Sequence, residues 1–241
     1  MVEETHVNEG FNSQTYLLLD GRFKQVLPYE AALSRIFFMR LASLLGVITP
    51  QILEFGVEGG QAYIISEAAA GEKLSDNINL CANNRVQQSY WTTLNQLHSF
   101  KTTRAGLRLE KELGDYVRER FASLGEEYPR ELLDDDIVFA HRDLNPSNLF
   151  WDGNKLIVID FGYAQFVPRH YDLAIHVNFA ERYIFGDYRT AYAHAISESK
   201  LRIWRRFDAK KKINWARKGS DKLSHTILTQ NTALLKSLGD T

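Results

Sequence analysis

The sequence predicts an α+β protein with two lobes, a small β-rich N-terminal lobe and a larger, mainly helical C-terminal lobe. Two observations lead to this fold class. Up to residue 66, short alternating segments separated by turn residues surround a single helical pattern. Beyond residue 71 helical periodicity dominates, apart from two short apolar segments around Asp152-Gly153-Asn154. Strands grouped before helices, rather than alternating with them, are typical of α+β folds.

The first lobe contains two predicted hairpins and one predicted helix. Asp20-Gly21 is a two-residue hairpin signal, and Glu58-Gly59-Gly60 marks the second turn. Between the hairpins, apolar residues from 29 to 45 recur at helical spacing, and Gly46 ends the pattern. We therefore expect a sheet of about five strands with one helix. The predicted strands cover residues 14–19, 22–27, 51–56 and 61–66.

A boundary between the lobes is expected at residues 67–71. The sequence there, Glu-Ala-Ala-Ala-Gly, follows the last predicted strand without periodicity, and we interpret it as a hinge. The N-terminal lobe would then cover residues 1–67 and the C-terminal lobe residues 68–241. Helical patterns over residues 86–97 and 109–124 begin the second lobe, and residues beyond about 173 again read as helical.

Composition narrows the class of protein. A net charge of −1 gives no indication of a nucleic-acid partner, and none is expected. The single cysteine, Cys81, excludes an internal disulfide framework and fits a reducing compartment. The acidic N-terminus lacks the features of a signal peptide, and the apolar stretch at 36–48 is too short to cross a bilayer. We expect a cytoplasmic protein with no transmembrane segment.

The strongest chemical signal lies in residues 141–162, which begin His-Arg-Asp and end Asp-Phe-Gly. Asp143 is followed five positions later by Asn148, and Asp160 follows an apolar segment. Phosphoryl transfer requires an oriented acceptor hydroxyl and a divalent cation that neutralises phosphate charge. We predict that Asp143 is the catalytic base and that Asn148 and Asp160 are magnesium ligands, because Mg²⁺ takes few protein oxygens besides phosphates and waters. The alternative is a hairpin whose acids merely face solvent.

With these residues, the chain resembles the aminoglycoside phosphotransferase and choline kinase family, the small-molecule branch of the protein-kinase-like fold. The resemblance covers about residues 10–176. It implies a bilobal protein-kinase-like fold and an ATP- and Mg²⁺-dependent kinase that phosphorylates a hydroxyl of a small molecule. Besides the catalytic string, the matching segments in chain order are residues 10–16, 46–50, 67–74, 94–98 and 171–174.

The resemblance also implies where the cofactors bind. The N-terminal lobe would hold the nucleotide, and the C-terminal lobe would carry the catalytic and acceptor-binding residues. Position 28, where the family pattern places a nucleotide-binding lysine, is Pro28, so Lys24 on the same strand face is the best candidate unless it is a surface lysine. Glu30 is its expected partner, or alternatively a favourable charge at a helix N-terminus. The remaining predicted nucleotide contacts are Gly10, Asn12, Ser13, Glu67 and Ala69.

Other functions remain open from the sequence. Asp172, which the resemblance assigns to bracing the catalytic loop or which caps its helix, comes only twelve positions after Asp160, and no Ala-Pro-Glu follows. This spacing leaves no room for the peptide-docking segment of protein kinases and favours a small acceptor. A compact effector-type protein kinase is the first alternative, favoured by Arg142, which stands where the family has glycine. A nucleotide-binding pseudokinase is the second, suggested by Pro28.

The acceptor is not identified by the charge pattern. Residues 110–136 hold ten acids against four bases, which suits a cationic acceptor, whereas residues 200–222 hold ten bases against two acids. The basic segment suits an anionic acceptor, a membrane surface or a protein target. Both segments could also be solvated helix faces. We expect a small-molecule hydroxyl acceptor, with a protein target possible.

Overall fold

The computed structural model describes residues 4–10, 13–102, 118–119, 121–132, 134–183 and 185–239. The chain forms two compact units, each built from three stretches of sequence. The first unit comprises Met1–Ser99, His141–Gln165 and Tyr183–Tyr192, and the second comprises Phe100–Ala140, Phe166–Arg182 and Ala193–Thr241. The predicted division into lobes at residue 67 is a different kind of boundary and stays a prediction.

The first unit contains an antiparallel five-stranded sheet with strand order β1-β2-β3-β5-β4. A hairpin forms at each predicted place, but the first turn is longer than the predicted two residues. The N–H of Gly21 donates to the carbonyl of Leu18 at 2.9 Å, and Gly21 adopts a φ of 82° at the end of this turn. The first strand was not predicted, because its sequence is polar. The strands are β1 Glu4–Gly10, β2 Ser13–Leu18, β3 Phe23–Leu27, β4 Ile52–Glu58 and β5 Gln61–Ser66.

Helix α1, Tyr29–Leu44, packs on one face of this sheet. Leu27 on β3 and Ala62 and Ile64 on β5 form a buried cluster with Ala32 of the helix. Side chains alternate along a strand, so this face of β3 also presents Gln25 toward α1. The helix was predicted to end at Leu45 and ends one residue earlier.

The first unit also contains the two short strands predicted on either side of Asp152-Gly153-Asn154. In a small sheet of order β10-β9-β6, buried Leu149 and Val158 lie on neighbouring strands. The N–H of Val158 donates to the carbonyl of Ile48 at 2.9 Å, which ties this sheet to the segment following α1. The elements are β6 Glu72–Lys73, β9 Leu149–Trp151, β10 Leu156–Val158, and the helices α2 Asn84–Ser99 and α4 Tyr188–Ala191.

The second unit is mainly helical around an aromatic core. Phe121 stacks on Phe207 with ring centroids 4.4 Å apart, and Trp204 contacts both rings. The predicted helix over 109–124 lies largely outside the described residues; residues 118–119 and 121–123 are helical. None of the described helices is long and apolar enough to cross a membrane. The elements are β7 Lys101–Thr102, β8 Ile137–Ala140, β11 Gln165–Pro168, α3 Arg169–Tyr183, α5 Glu198–Ala216 and α6 Lys222–Ser237.

Candidate active site

Hydrogen bonds from its own side chains hold the loop that carries Asp143 in shape. Asn145 donates from Nδ2 to Oδ1 of Asp143 at 2.7 Å, and Asn148 donates from Nδ2 to Oδ2 of Asp143 at 2.9 Å. Asn148 also donates to the backbone oxygen of Asp143 at 2.9 Å. Each carboxylate oxygen of Asp143 thus accepts an amide hydrogen, which fixes the orientation of the carboxylate. Ser147 supports the arrangement by donating its N–H to Oδ1 of Asn145 at 2.8 Å.

Asp160 is held beside this loop through its neighbour Ile159. The N–H of Ile159 donates to the carbonyl of Asn148 at 3.0 Å, and the carbonyl of Ile159 lies 2.9 Å from Nε2 of buried His141. The Asp160 side chain remains 42% exposed. The structure therefore brings the loop of Asp143 and Asn148 together with the residue that precedes Asp160, and leaves the Asp160 carboxylate accessible.

Two residues of this loop region adopt the left-handed backbone conformation without being glycine. Asp160 has a φ of 59° and accepts the N–H of Gly162 on Oδ1 at 3.2 Å, so its side chain caps the short turn that follows. Arg142 has a φ of 67°. Glycine adopts this conformation without steric cost, so the glycine of the family pattern would fit the backbone at the place of Arg142.

Arg35 is a residue of this region that sequence reasoning missed. It lies on α1, and its Nη2 is 3.4 Å from Oδ1 of Asp160 while its Nη1 donates to Oε1 of Gln25 at 2.8 Å. Burial lowers the pKa of the Arg35 guanidinium, an effect that the nearby Asp160 carboxylate partly offsets. Arg35 follows Ala32 by three positions and precedes Met39 by four, and since both are buried in the structure, Arg35 lies on the buried side of α1.

Lys24 and Glu30 are not brought together among the described residues. Nζ of Lys24 lies 3.3 Å from Oε2 of Glu58 and 5.3 Å from the ring centroid of Tyr63. Glu30 is exposed in the first turn of α1, the position that its alternative role at a helix N-terminus requires. The structure thus pairs Lys24 across the sheet rather than with the helix.

The other predicted nucleotide contacts lie at two places. Gly10 ends β1 and pairs with Ser13 at the start of β2, whereas Asn12 lies outside the described residues. Glu67 donates its N–H to the carbonyl of Gln51 at 3.0 Å, and half-buried Ala69 follows in a segment without regular structure. The irregular backbone expected of a hinge is therefore present at 67–70.

Both charged segments make ion pairs within the second unit. Nζ of Lys200 lies 2.6 Å from Asp134, and Nδ1 of His170 lies 2.7 Å from buried Asp135. In the basic segment, Nζ of Lys212 lies 2.6 Å from buried Asp208. Neutralising these groups would therefore disturb the fold as well as any recognition. Further pairs join Lys210 to Glu126 and Arg169 and Lys101 to Asp136, and His176 contacts Asp172.

The fold and the loop define a phosphotransferase of the kinase-like class. Residues 5–209 match the model of the phosphotransferase enzyme family, and the chain belongs to this family. The predictions of family, α+β kinase-like fold and enzyme class are thereby confirmed.

Individual relatives agree with this assignment. Over 187 residues the chain is 29% identical to an aminoglycoside 3'-phosphotransferase of Niallia circulans, covering 66% of this chain and 71% of the relative. The amicoumacin kinase hAmiN, solved with AMP-PNP, Ca²⁺ and Ami, is similar with a TM-score of 0.63 at 12% identity, covering 98% of this chain and 88% of its own. The GDP and kanamycin complex of APH(2")-IIia is similar with a TM-score of 0.60 at 16% identity, covering 99% and 94%. The two structures show likeness of fold.

Proposed function

We propose that this phosphotransferase transfers the γ-phosphoryl group of ATP to a hydroxyl of a small molecule, with Mg²⁺ as the divalent cation. The arrangement of Asp143, Asn148 and Asp160 carries the proposal. Asp143 would accept the proton of the attacking hydroxyl, because its fixed carboxylate is an oriented base. Asn148 and Asp160 would hold the cation. The nucleotide-bound complexes among the structurally similar proteins support nucleotide use.

The donor set fits magnesium. Asn148 uses Nδ2 toward Asp143, an arrangement that leaves its oxygen Oδ1 outside these bonds, and Asp160 offers an accessible carboxylate. Both are hard oxygen ligands of the kind Mg²⁺ binds. Among the described residues, no group of three or more His, Cys, Asp or Glu could hold a metal ion. A site formed by these two residues would depend on phosphates and waters for its other ligands, and the cation would supply neutralisation of phosphate charge.

The acceptor we propose is an aminoglycoside or a similar amino sugar or amino alcohol. The 29% identical relative is named an aminoglycoside 3'-phosphotransferase, and similar structures contain kanamycin or Ami. The nucleotide contacts at Gly10, Asn12, Ser13, Lys24, Glu30, Glu67 and Ala69 remain predictions within this proposal. So do the lobes of residues 1–67 and 68–241.

The test is an ATP-consumption screen over aminoglycosides, amino alcohols and neutral sugars with Mg²⁺ present, followed by mass spectrometry of the acceptor. The proposal expects stoichiometric ATP loss and an acceptor heavier by one phosphoryl group. GTP is run in parallel, because one similar structure contains GDP. An Asp143→Asn protein serves as the control for contaminating kinases. Phosphorylation by the purified chain that persists unchanged in this variant would contradict the proposal.

A further inference from the structure

Arg35 places a buried positive charge next to the proposed metal ligand. Its side chain is 11% exposed, and Nη2 lies 3.4 Å from Oδ1 of Asp160. Among the described residues, one contact of Arg35 is a short hydrogen bond, the 2.8 Å bond from Nη1 to neutral Gln25. The Nε atom is buried and has no hydrogen-bond partner in the part of the chain that the structure describes. The guanidinium thus has donor capacity that these contacts leave unused.

A buried arginine with unused hydrogen-bond donors is suited to binding an anion. Burying a cation is costly unless it is paired and hydrogen-bonded, and Asp160 is itself 42% exposed and in contact only at 3.4 Å. Arginine binds phosphate oxygens with two donors at once, and such charge-assisted bonds are among the strongest. A phosphate near Asp160 would accept hydrogen bonds from Nη2 of Arg35, the nitrogen that faces this carboxylate.

Gly162 leaves room for Arg35 to approach Asp160 closely. A Cβ atom at Gly162 would lie 2.6 Å from Nη2 of Arg35 and 3.0 Å from Oδ1 of Asp160. A larger residue at position 162 would therefore displace the guanidinium from the carboxylate.

Lys24, the candidate nucleotide-binding lysine of the sequence analysis, lies on the face of the sheet opposite to Arg35. Side chains alternate along β3, so Lys24 and Gln25 lie on opposite faces of the sheet. Gln25 faces α1 and Arg35, whereas Nζ of Lys24 is 3.3 Å from Glu58. The positively charged side chain beside Asp160 is therefore Arg35 of helix α1 and not Lys24 of strand β3.

We propose that Arg35 binds the phosphates of the nucleotide and positions Asp160 for the divalent cation. This inference rests on the proposed function and deepens it. Nη2 of Arg35 donates to the non-bridging phosphate oxygens, while the bond from Nη1 to Gln25 holds the guanidinium in place. The ligand class is a nucleoside di- or triphosphate with a divalent cation.

The test compares ADP with adenosine, because adenosine lacks the phosphates that Arg35 would bind. Affinities of the full chain for both, in Mg²⁺, are measured by isothermal titration calorimetry for Arg35→Gln, Arg35→Lys and Lys24→Gln. Arg40→Gln is the matched control, an exposed arginine on the same helix. We expect Arg35→Gln to weaken ADP binding by about tenfold or more with adenosine affinity unchanged. Arg35→Lys, which keeps the charge but loses the fork, should fall between Arg35→Gln and the unmodified chain.

Other outcomes would overturn the inference. A purely structural role for Arg35 would lower the affinities for ADP and adenosine together. Loss of ADP binding in Lys24→Gln, with Arg35→Gln unaffected, would assign the phosphates to Lys24. If Arg35→Gln does not fold, the ADP-to-adenosine affinity ratio of Arg35→Lys decides, since a ratio equal to that of the unmodified chain contradicts the inference. Failure of the unmodified chain to bind ADP would instead refute the proposed function, and this inference with it.

Discussion

Asn148 donates the same amide group to the backbone oxygen and to Oδ2 of Asp143, with both distances at 2.9 Å. One side chain thus links a proposed metal ligand to the proposed base. Because Nδ2 is committed to Asp143, the orientation of the Asn148 amide is determined, and Oδ1 is directed away from that residue. These hydrogen bonds hold the proposed base and the proposed oxygen ligand of the loop in a fixed relationship.

The first prediction concerns Asp143. Asp143→Asn removes the base but keeps the shape of the side chain, so turnover should fall by about 10² to 10⁴ while ADP affinity stays unchanged. Steady-state kinetics and calorimetry measure the two quantities separately. Asp152→Asn, a change at an exposed turn residue of the hairpin that follows this loop, is the control and should retain turnover. Near-normal turnover in Asp143→Asn would remove Asp143 from the catalytic role.

A second prediction separates metal binding from folding at Asp160. Asp160→Asn preserves a side chain tolerated at positive φ, but it removes the charged ligand for the cation. The gain in ADP affinity that Mg²⁺ provides should drop by about tenfold or more. Titrating ADP with and without Mg²⁺ measures this gain. Asp187→Asn is a matched control, because Asp187 also caps a short turn, by accepting the N–H of Arg189 at 2.9 Å. An undiminished magnesium effect in Asp160→Asn would exclude Asp160 as a ligand.

The backbone at Arg142 leads to a third prediction. At a φ of 67°, a β-branched residue is strained by roughly 1–2 kcal/mol relative to glycine. Arg142→Val should therefore be less stable than Arg142→Gly by about this amount, as measured by urea unfolding. Comparing the two variants cancels the contribution of the arginine side chain itself. Equal stability of the two proteins would show that the loop relaxes away from the left-handed conformation.

The buried thiol of Cys81 gives a prediction about pH. Burial raises the pKa of Cys81 to about 11, compared with about 8.5 for an exposed thiol. Because the folded-state pKa is the higher one, this group's contribution to stability is fully present below about pH 8.5 and is lost as the pH rises toward 11. Cys81→Ala should show a smaller loss of unfolding free energy over that range. A loss of the same size in both proteins would contradict the assignment.

The sequence predicted the local features well because their signals are local. The Asp20-Gly21 hairpin, the helix at Tyr29 and the strands around Asp152-Gly153-Asn154 depend on turn residues and on periodicity within a few positions. The polar strand β1 and the two-residue strand β6 carry no such signal. Both are held by pairing with a neighbour, β2 and β9 respectively.

The sequence predicted the part of the candidate site that lies in one continuous segment. It did not predict the contacts between residues that are far apart in the chain. Asp143 and Asn148 lie five positions apart, so their proximity follows from the loop itself. Arg35 meets Asp160 only because α1 packs on the sheet, and a helical pattern does not say which polar residue turns inward. The partner of Lys24 was likewise hidden. The register places Glu54 two strands away from Lys24, but the lysine side chain runs diagonally past Tyr63 to Glu58.

The connection after β5 has little freedom in its length. Its start is fixed by the bond from Glu67 to Gln51, and its end by the pairing of Glu72 with Trp151. At Gly71, a Cβ would lie 2.2 Å from the Trp151 carbonyl oxygen, so the chain crosses there in direct backbone contact. Inserted residues can therefore be absorbed only between 68 and 71. An insertion would move the backbone at Ala69, a predicted nucleotide contact, while leaving Arg35 and Asp160 in place, so that nucleotide selectivity can change independently of the phosphoryl-transfer chemistry.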